Sequence, residues 1–136
     1  MNILVLDGQG GNLGRQLIRM ISERLPDCAL RAVGTNSIAT ANMLKGGSVP
    51  AATGENAVIV GCRWADAIVG PIGIVIADAL LGEVTPAMAA AVGQSAAVRV
   101  LIPMNRCETL VAGVNTASTA ELIEDAIRKL AAIAEK

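Results

Sequence analysis

The residues best suited to chemistry form a glycine-rich turn between a strand and a helix. Residues 7–15 read Asp-Gly-Gln-Gly-Gly-Asn-Leu-Gly-Arg, with Gly8, Gly11 and Gly14 at every third position. Gly8 permits a tight turn, and Gly10 or Gly11 lets the backbone approach a phosphate. Gly14 lets the helix pack close to the strand, and the N-terminus of that helix attracts an anion. The pattern predicts a phosphate site; the alternative is a turn that only joins strand and helix.

Three further segments are predicted at the same edge of the sheet: residues 34–36, 70–73 and 103–107. Thr35 and Asn36 end the second strand, where dinucleotide sites usually carry a carboxylate for the ribose. Its absence favours NADP, or another phosphate-bearing ligand, over NAD, although Asn36 also suits a plain helix cap. The predicted cofactor-binding residues are Gly8, Gln9, Gly10, Gly11, Asn12, Gly14, Thr35, Asn36, Gly70, Pro71, Asn105 and Arg106.

Three charged residues are candidates for catalysis. Glu55 follows a glycine at a predicted helix start, and Asp78 lies in an apolar stretch where Glu83 is the other acid. Arg106 can grip two oxygens of an anion and would lower the pKa of the neighbouring Cys107 thiol. Helix caps, solvated charges and an idle thiol explain the same residues without catalysis.

Composition excludes several mechanisms. The 136 residues include no His, Tyr or Phe, which removes Ser-His-Asp hydrolysis, most zinc enzymes and Tyr-Lys acid–base pairs. We predict no metal site. Eleven basic residues against 12 acidic ones give a formal charge of -1, so no basic field is available for nucleic acid.

Cysteine usage and hydropathy favour a cytoplasmic protein with no membrane span. The three cysteines, Cys28, Cys62 and Cys107, are far apart and form no disulfide framework or zinc knuckle. The chain starts as a strand without a basic leader. The apolar stretch 67–81 is shorter than the ~20 residues of a membrane helix and contains Pro71, Gly73 and Asp78.

Alternating strands and helices predict one α/β domain over residues 1–136: a Rossmann-like, doubly wound, mostly parallel sheet of about five strands with helices on both faces. Predicted strands cover residues 2–6, 29–33, 67–70, 98–102 and 110–114, and residues 49–52 also have some strand character. Predicted helices cover residues 12–24, 37–45, 72–81, 85–92 and 119–134, with Ser118 capping the last. Residues 57–61 fit a short helix or a strand.

Five segments together resemble a small bacterial family of unknown function: residues 7–11, 52–57, 70–75, 77–83 and 102–107. The resemblance extends to about Gly113. It implies a Rossmann-like cytoplasmic protein of one domain and carries over no substrate or catalytic residue. A wider similarity to Rossmann nucleotide binders covers mainly residues 2–36 and is less specific.

Three functions fit these observations. The first is binding of a nucleotide or dinucleotide phosphate, because 136 residues leave no room for the substrate domain of a dehydrogenase. The second is an oligomeric enzyme that acts on a phosphorylated metabolite at a site shared between subunits. The third is a structural oligomer. With 53% hydrophobic and 17% charged residues, the chain is predicted to form a homo-oligomer through residues 72–92.

Overall fold

A five-stranded parallel sheet forms the centre of the computed structural model, which describes residues 1–104, 109–114 and 117–136. The strand order is β3-β2-β1-β4-β5, and all neighbouring strands are parallel. The strands are β1 (Asn2–Asp7), β2 (Ala29–Gly34), β3 (Ala51–Thr53), β4 (Ala67–Pro71) and β5 (Val98–Ile102). Asp7 pairs with Gly34, so the ends of β1 and β2 lie side by side.

Helices cover both faces of the sheet because β1 is apolar on both of its sides. The helices are α1 (Asn12–Arg24), α2 (Ser37–Met43), α3 (Glu55–Trp64), α4 (Pro86–Gln94) and α5 (Thr119–Ala134), with short 3-10 helices at Leu44–Gly46 and Ile72–Val75. Ile3 and Val5 pack with α1, α5 and Met43 of α2. Leu4 and Leu6 pack with α3 and α4 on the other face. The fold is the predicted Rossmann-like, doubly wound α/β type.

The order of the strands reverses between β1 and β4. From β1 the chain continues outward to β2 and β3, then returns to place β4 on the other side of β1. Connections on the two sides of this point leave the sheet in opposite directions, which opens a crevice at the carboxyl ends of β1 and β4. The predicted binding segments 8–14 and 70–73 both follow strands that end here.

The helices with clear capping residues are confirmed. Thr85 caps α4 by accepting the N–H of Met88 at 3.1 Å, and Ser118 caps α5 by accepting the N–H of Glu121 at 3.2 Å. The ambiguous residues 57–61 lie within α3. Side-chain caps fix where a helix begins, which is why these starts could be located from sequence.

The predicted helix over residues 72–81 is wrong. Only Ile72–Val75 is helical, in 3-10 form, and residues 76–84 form a series of turns that we call the clasp. Asp78, Leu80 and Leu81 have φ of 67°, 57° and 58°, followed by Gly82 at 91°. The N–H of Asp78 donates to the carbonyl of Val84 at 2.7 Å, which closes the clasp on itself. Apolar composition alone did not reveal this left-handed backbone.

The predicted strand over residues 110–114 is also wrong. This stretch is an exposed turn, with Leu110 95% exposed and the N–H of Val114 donating to the carbonyl of Val111 at 3.3 Å. The fifth strand of the sheet is instead β3, which overlaps the strand-like residues 49–52. An isolated apolar pentapeptide is insufficient to distinguish a strand from a loop.

No helix in the described ranges combines the length and the hydrophobicity needed to cross a membrane. The apolar stretch 67–81 is divided between β4, the 3-10 helix and the clasp.

Candidate functional site

A cavity of about 150 Å³ lies where the strand order reverses. The glycine-rich turn forms one wall, and Pro71, Gly73, Leu80 and Met104 complete the lining. The cavity therefore joins three of the four segments predicted to meet at this edge. Thr35 and Asn36 of the fourth segment do not line it. The wall of the cavity formed by the glycine-rich turn consists of Asp7, Gly8, Gln9, Gly10, Gly11, Asn12 and Leu13.

Some backbone N–H groups beside the cavity have no acceptor. Among the described residues, nothing accepts a hydrogen bond from the N–H of Gly10, Asn12 or Leu13. Asn12 and Leu13 begin α1, whose first-turn N–H groups have no partner within the helix. The N–H groups and the helix dipole make this end of the cavity favourable for a negative charge.

Asp7 supplies an internal carboxylate to the same turn. Its Oδ1 accepts the N–H of Gly8 at 2.8 Å, and its Oδ2 accepts the N–H of Gly14, in the first turn of α1, at 2.7 Å. The side chain is buried at the end of β1, with the residue 5% exposed. Asp7 thus caps α1 from the strand that precedes it and occupies two of the donors that a ligand phosphate would otherwise use.

Glu83, at the end of the clasp, supplies a second internal carboxylate. One oxygen, Oε1, accepts from the N–H of Gln9 at 2.8 Å, the hydroxyl of Thr35 at 2.7 Å and the amide of Asn36 at 2.7 Å. Asn36 also caps α2, because its Oδ1 accepts the N–H of Ala39 at 2.8 Å. The carboxylate missing from the end of β2 in sequence is therefore provided by a different loop.

The pKa values of Asp7 and Glu83 are shifted in opposite directions. Burial raises the pKa of Asp7 above its ordinary value. The hydrogen bonds that it accepts from the N–H groups of Gly14 and Gly8 act to lower this pKa, and the negative charge of Glu83 acts to raise it. Partial burial also acts to raise the pKa of Glu83, but its hydrogen bonds from Thr35, Gln9 and Asn36 outweigh burial and lower the pKa. Glu83 is therefore firmly ionised at neutral pH, whereas ionised Asp7 is held at a cost in solvation.

The other predicted site residues are dispersed. Gly70 packs directly against the backbone of β1, since a Cβ on it would lie 2.3 Å from the carbonyl oxygen of Leu6. Glu55 and Asp78 are exposed, and neither lines the cavity. Asp78 was expected among apolar side chains of a helix, which the turns of the clasp contradict. Asn105, Arg106 and Cys107 lie outside the described residues.

Neither thiol nor metal chemistry is indicated by the described residues. Cys62 is a free, buried cysteine, and burial raises its pKa to about 11, so the thiol is protonated at neutral pH. Across the described ranges, no group of three or more Cys, Asp or Glu residues could hold a metal ion.

Comparison with known proteins assigns the chain to a family. A family model described as Domain of unknown function (DUF3842) matches residues 2–135. The chain belongs to the DUF3842 family. The match extends beyond Gly113, where the resemblance in the sequence was expected to end, and includes α5. No curated protein and no solved structure matches the chain significantly.

Sequence reasoning on this DUF3842 chain missed the site roles of Asp7 and Glu83. A signal existed for each: Asp7 directly precedes the first glycine, and Glu83 is one of two acids in an apolar stretch. The distance along the chain hides the contact between Glu83 and Gln9, which are 74 residues apart. Left-handed Leu80 and Leu81, which bring Glu83 there, have no sequence signature because such residues rarely adopt positive φ.

Proposed function

We propose that this chain binds a phosphate-bearing small molecule, a nucleotide or dinucleotide such as NADP or NAD, with a phosphate at the first turn of α1. One observation carries the proposal: the cavity at the strand-order reversal is lined by residues whose N–H groups have no acceptor in the described chain. In doubly wound sheets, ligands bind in this crevice, and helix N-termini there bind phosphate.

The internal carboxylates restrict where the phosphate would bind. Asp7 already accepts from Gly8 and Gly14, and Glu83 accepts from Gln9. A phosphate close to either carboxylate would be repelled. The donors that remain belong to Gly10 and to Asn12 and Leu13 at the start of α1, so we infer that the phosphate contacts these three.

Binding is favoured over catalysis by the lining of the cavity. Glu55 and Asp78, which were considered for catalysis, are exposed and do not line it. Asp7 lines it, but both of its carboxylate oxygens are occupied by backbone N–H groups. The proposal therefore assigns a ligand class and no reaction.

Ligand binding is tested by thermal unfolding of the purified chain with saturating NADP, NAD, FAD, ATP or coenzyme A. A ligand at 100 times its dissociation constant stabilises the native state by about 2.7 kcal/mol. We expect at least one of these compounds to raise the melting temperature. A melting temperature unchanged by all five contradicts the proposal.

Substitutions at Gly10 locate the site. A Cβ there would have Asn12 Nδ2, 3.7 Å away, as its nearest neighbour, so a side chain fits. Gly10→Asp places a negative charge beside the proposed phosphate and is expected to weaken binding by at least about tenfold, whereas the isosteric Gly10→Asn retains most of it. Dissociation constants by calorimetry are the measurement. Equal weakening by Asp and Asn would argue against a bound anion at this turn.

We also propose a cytoplasmic homo-oligomer. Cys28 and Cys62 are free cysteines, which suits a reducing compartment. The predicted contact through residues 72–92 now consists of the clasp and α4, where Leu81 is 98% exposed and Ala87 and Ala90 are also exposed. Light scattering is expected to give a multiple of 13.8 kDa. The mass of one chain would contradict the oligomer without affecting the ligand site.

A further inference from the structure

The clasp lies directly on the glycine-rich turn. A Cβ on Gly8 would be 2.6 Å from Oγ1 of Thr35, 2.7 Å from Cδ1 of Leu80 and 3.2 Å from Oε1 of Glu83, so two of its three nearest neighbours belong to the clasp. Leu80 also lines the cavity. While the clasp keeps this position, Leu80 and Glu83 therefore obstruct the path over Gly8 that leads from the first turn of α1 toward the end of β2.

The clasp also occupies polar groups that a ligand would use. Three donors from two different loops, belonging to Gln9, Thr35 and Asn36, converge on one carboxylate oxygen of Glu83 at 2.7–2.8 Å. Donors that converge in this way form a site for an anionic or hydroxyl oxygen. In this structure the chain fills that site with its own side chain.

The size of the cavity leads to the same conclusion. About 150 Å³ is well below the ~300–1,000 Å³ typical of sites that enclose a small organic ligand. The closed form has room for the phosphate end of a ligand but not for a whole dinucleotide. Because Leu80 is one wall, displacement of the clasp would enlarge the cavity toward Thr35 and Asn36.

The backbone of the clasp favours such a displacement. Leu80 and Leu81 have φ of 57° and 58°, and the left-handed conformation costs about 1 kcal/mol for each residue with a Cβ. Within a single chain Leu81 is 98% exposed and recovers none of this cost by packing. The bonds of Glu83 and the burial of Ala79 and Val84 hold the strained turns in place.

We propose that residues 76–84 are an autoinhibitory clasp: Glu83 occupies the distal part of the ligand site, and a dinucleotide must displace it whereas a lone phosphate need not. This inference rests on the proposed function. Opening of the clasp then costs part of the free energy of binding. The apparent affinity for the dinucleotide equals the intrinsic affinity of the open form multiplied by the fraction of chains that are open.

The test compares Glu83→Gln with Asp78→Asn. Each removes one negative charge from the clasp, but Asp78 is exposed and its side chain makes no hydrogen bond or ion pair with the described residues. Glu83→Gln loses the charge that strengthens three hydrogen bonds and holds the clasp closed. We therefore expect NADP to bind this variant about tenfold more tightly than it binds the unmodified chain. Inorganic phosphate should bind both variants alike. Hydrogen exchange of residues 76–84 should accelerate when NADP is added to the unmodified chain.

The possible outcomes separate the two proposals. Unchanged or weaker NADP binding by Glu83→Gln, with NADP still bound by the unmodified chain, overturns the clasp and leaves the proposed function standing. Equal tightening by Asp78→Asn also overturns it, because general charge would then be the cause. Failure of every variant to bind NADP, phosphate or the other nucleotides overturns the proposed function and the clasp together.

Discussion

Replacing Gly11 by alanine is expected to destabilise the chain by about 3 kcal/mol. A Cβ at this position would lie 2.4 Å from the carbonyl oxygen of Ala39, which belongs to α2 and cannot move alone. Gly11 also has φ of 74°, in the left-handed region that a side chain disfavours. Both effects act on the junction between α1 and α2. Urea unfolding measures the loss, which corresponds to a melting temperature lower by about 10 °C.

Gly10→Ala is the matched control for this substitution. The two glycines are adjacent, but a Cβ on Gly10 has no neighbour closer than 3.7 Å. We expect Gly10→Ala to change stability by less than about 1 kcal/mol. Equal losses at the two positions would mean that α2 does not approach Gly11 as described. The comparison also shows why a substitution at Gly11 is unsuitable as a probe of ligand binding: it disturbs the packing of α1 against α2 and lowers the stability of the chain.

Replacing Asp7 by alanine is expected to cost about 3 kcal/mol. The change leaves the buried N–H groups of Gly8 and Gly14 without an acceptor and removes the cap of α1. Because the pKa of Asp7 is raised in the folded chain, its contribution is fully present below its ordinary pKa of 3.8 and decreases as the pH rises through the folded value. The difference from the unmodified chain should therefore be larger in acid than at neutral pH.

Asp66→Ala is the control for Asp7. Asp66 also accepts a backbone N–H, from Asn2 at 2.8 Å, but on an exposed surface where water can replace the carboxylate. Its loss should cost less than about 1 kcal/mol at both pH values. If Asp7→Ala lowered the free energy of unfolding by as little as Asp66→Ala, the two hydrogen bonds that Asp7 accepts would not stabilise the start of α1.

The fold could be predicted because its signals are local. Apolar runs ended by Asp7 or Gly34 marked buried strands, and Thr85 and Ser118 marked helix starts through side-chain caps. The clasp could not be predicted, because its left-handed turns at Leu80 and Leu81 are stabilised by contacts distant in sequence. A purely local reading assigns such an apolar stretch to a helix.

The position of the cavity could be predicted from the sequence, but the carboxylate groups beside it could not. The glycine pattern located the turn, and the strand-order rule brought residues 70–73 to it. Glu83 is 48 residues from Thr35 in the sequence, although the two side chains are hydrogen-bonded. The residues at the end of β2, where dinucleotide sites usually carry an acid, therefore gave no indication of this carboxylate. Gly11 has a packing role that the sequence did not reveal, since its missing Cβ makes room for Ala39 of α2.

The only tryptophan of the chain lies at the end of the sheet opposite the cavity. The carbonyl of Trp64 accepts from the side chain of Asn2 at the start of β1, and the guanidinium of Arg31 stacks 4.0 Å from the centre of its ring. Intrinsic fluorescence is therefore expected to follow loss of this stacking on denaturation. One optical signal can thus rank the stabilities of all the variants in the absence of ligand, and ligand titrations require a label or heat detection because tryptophan is far from the crevice.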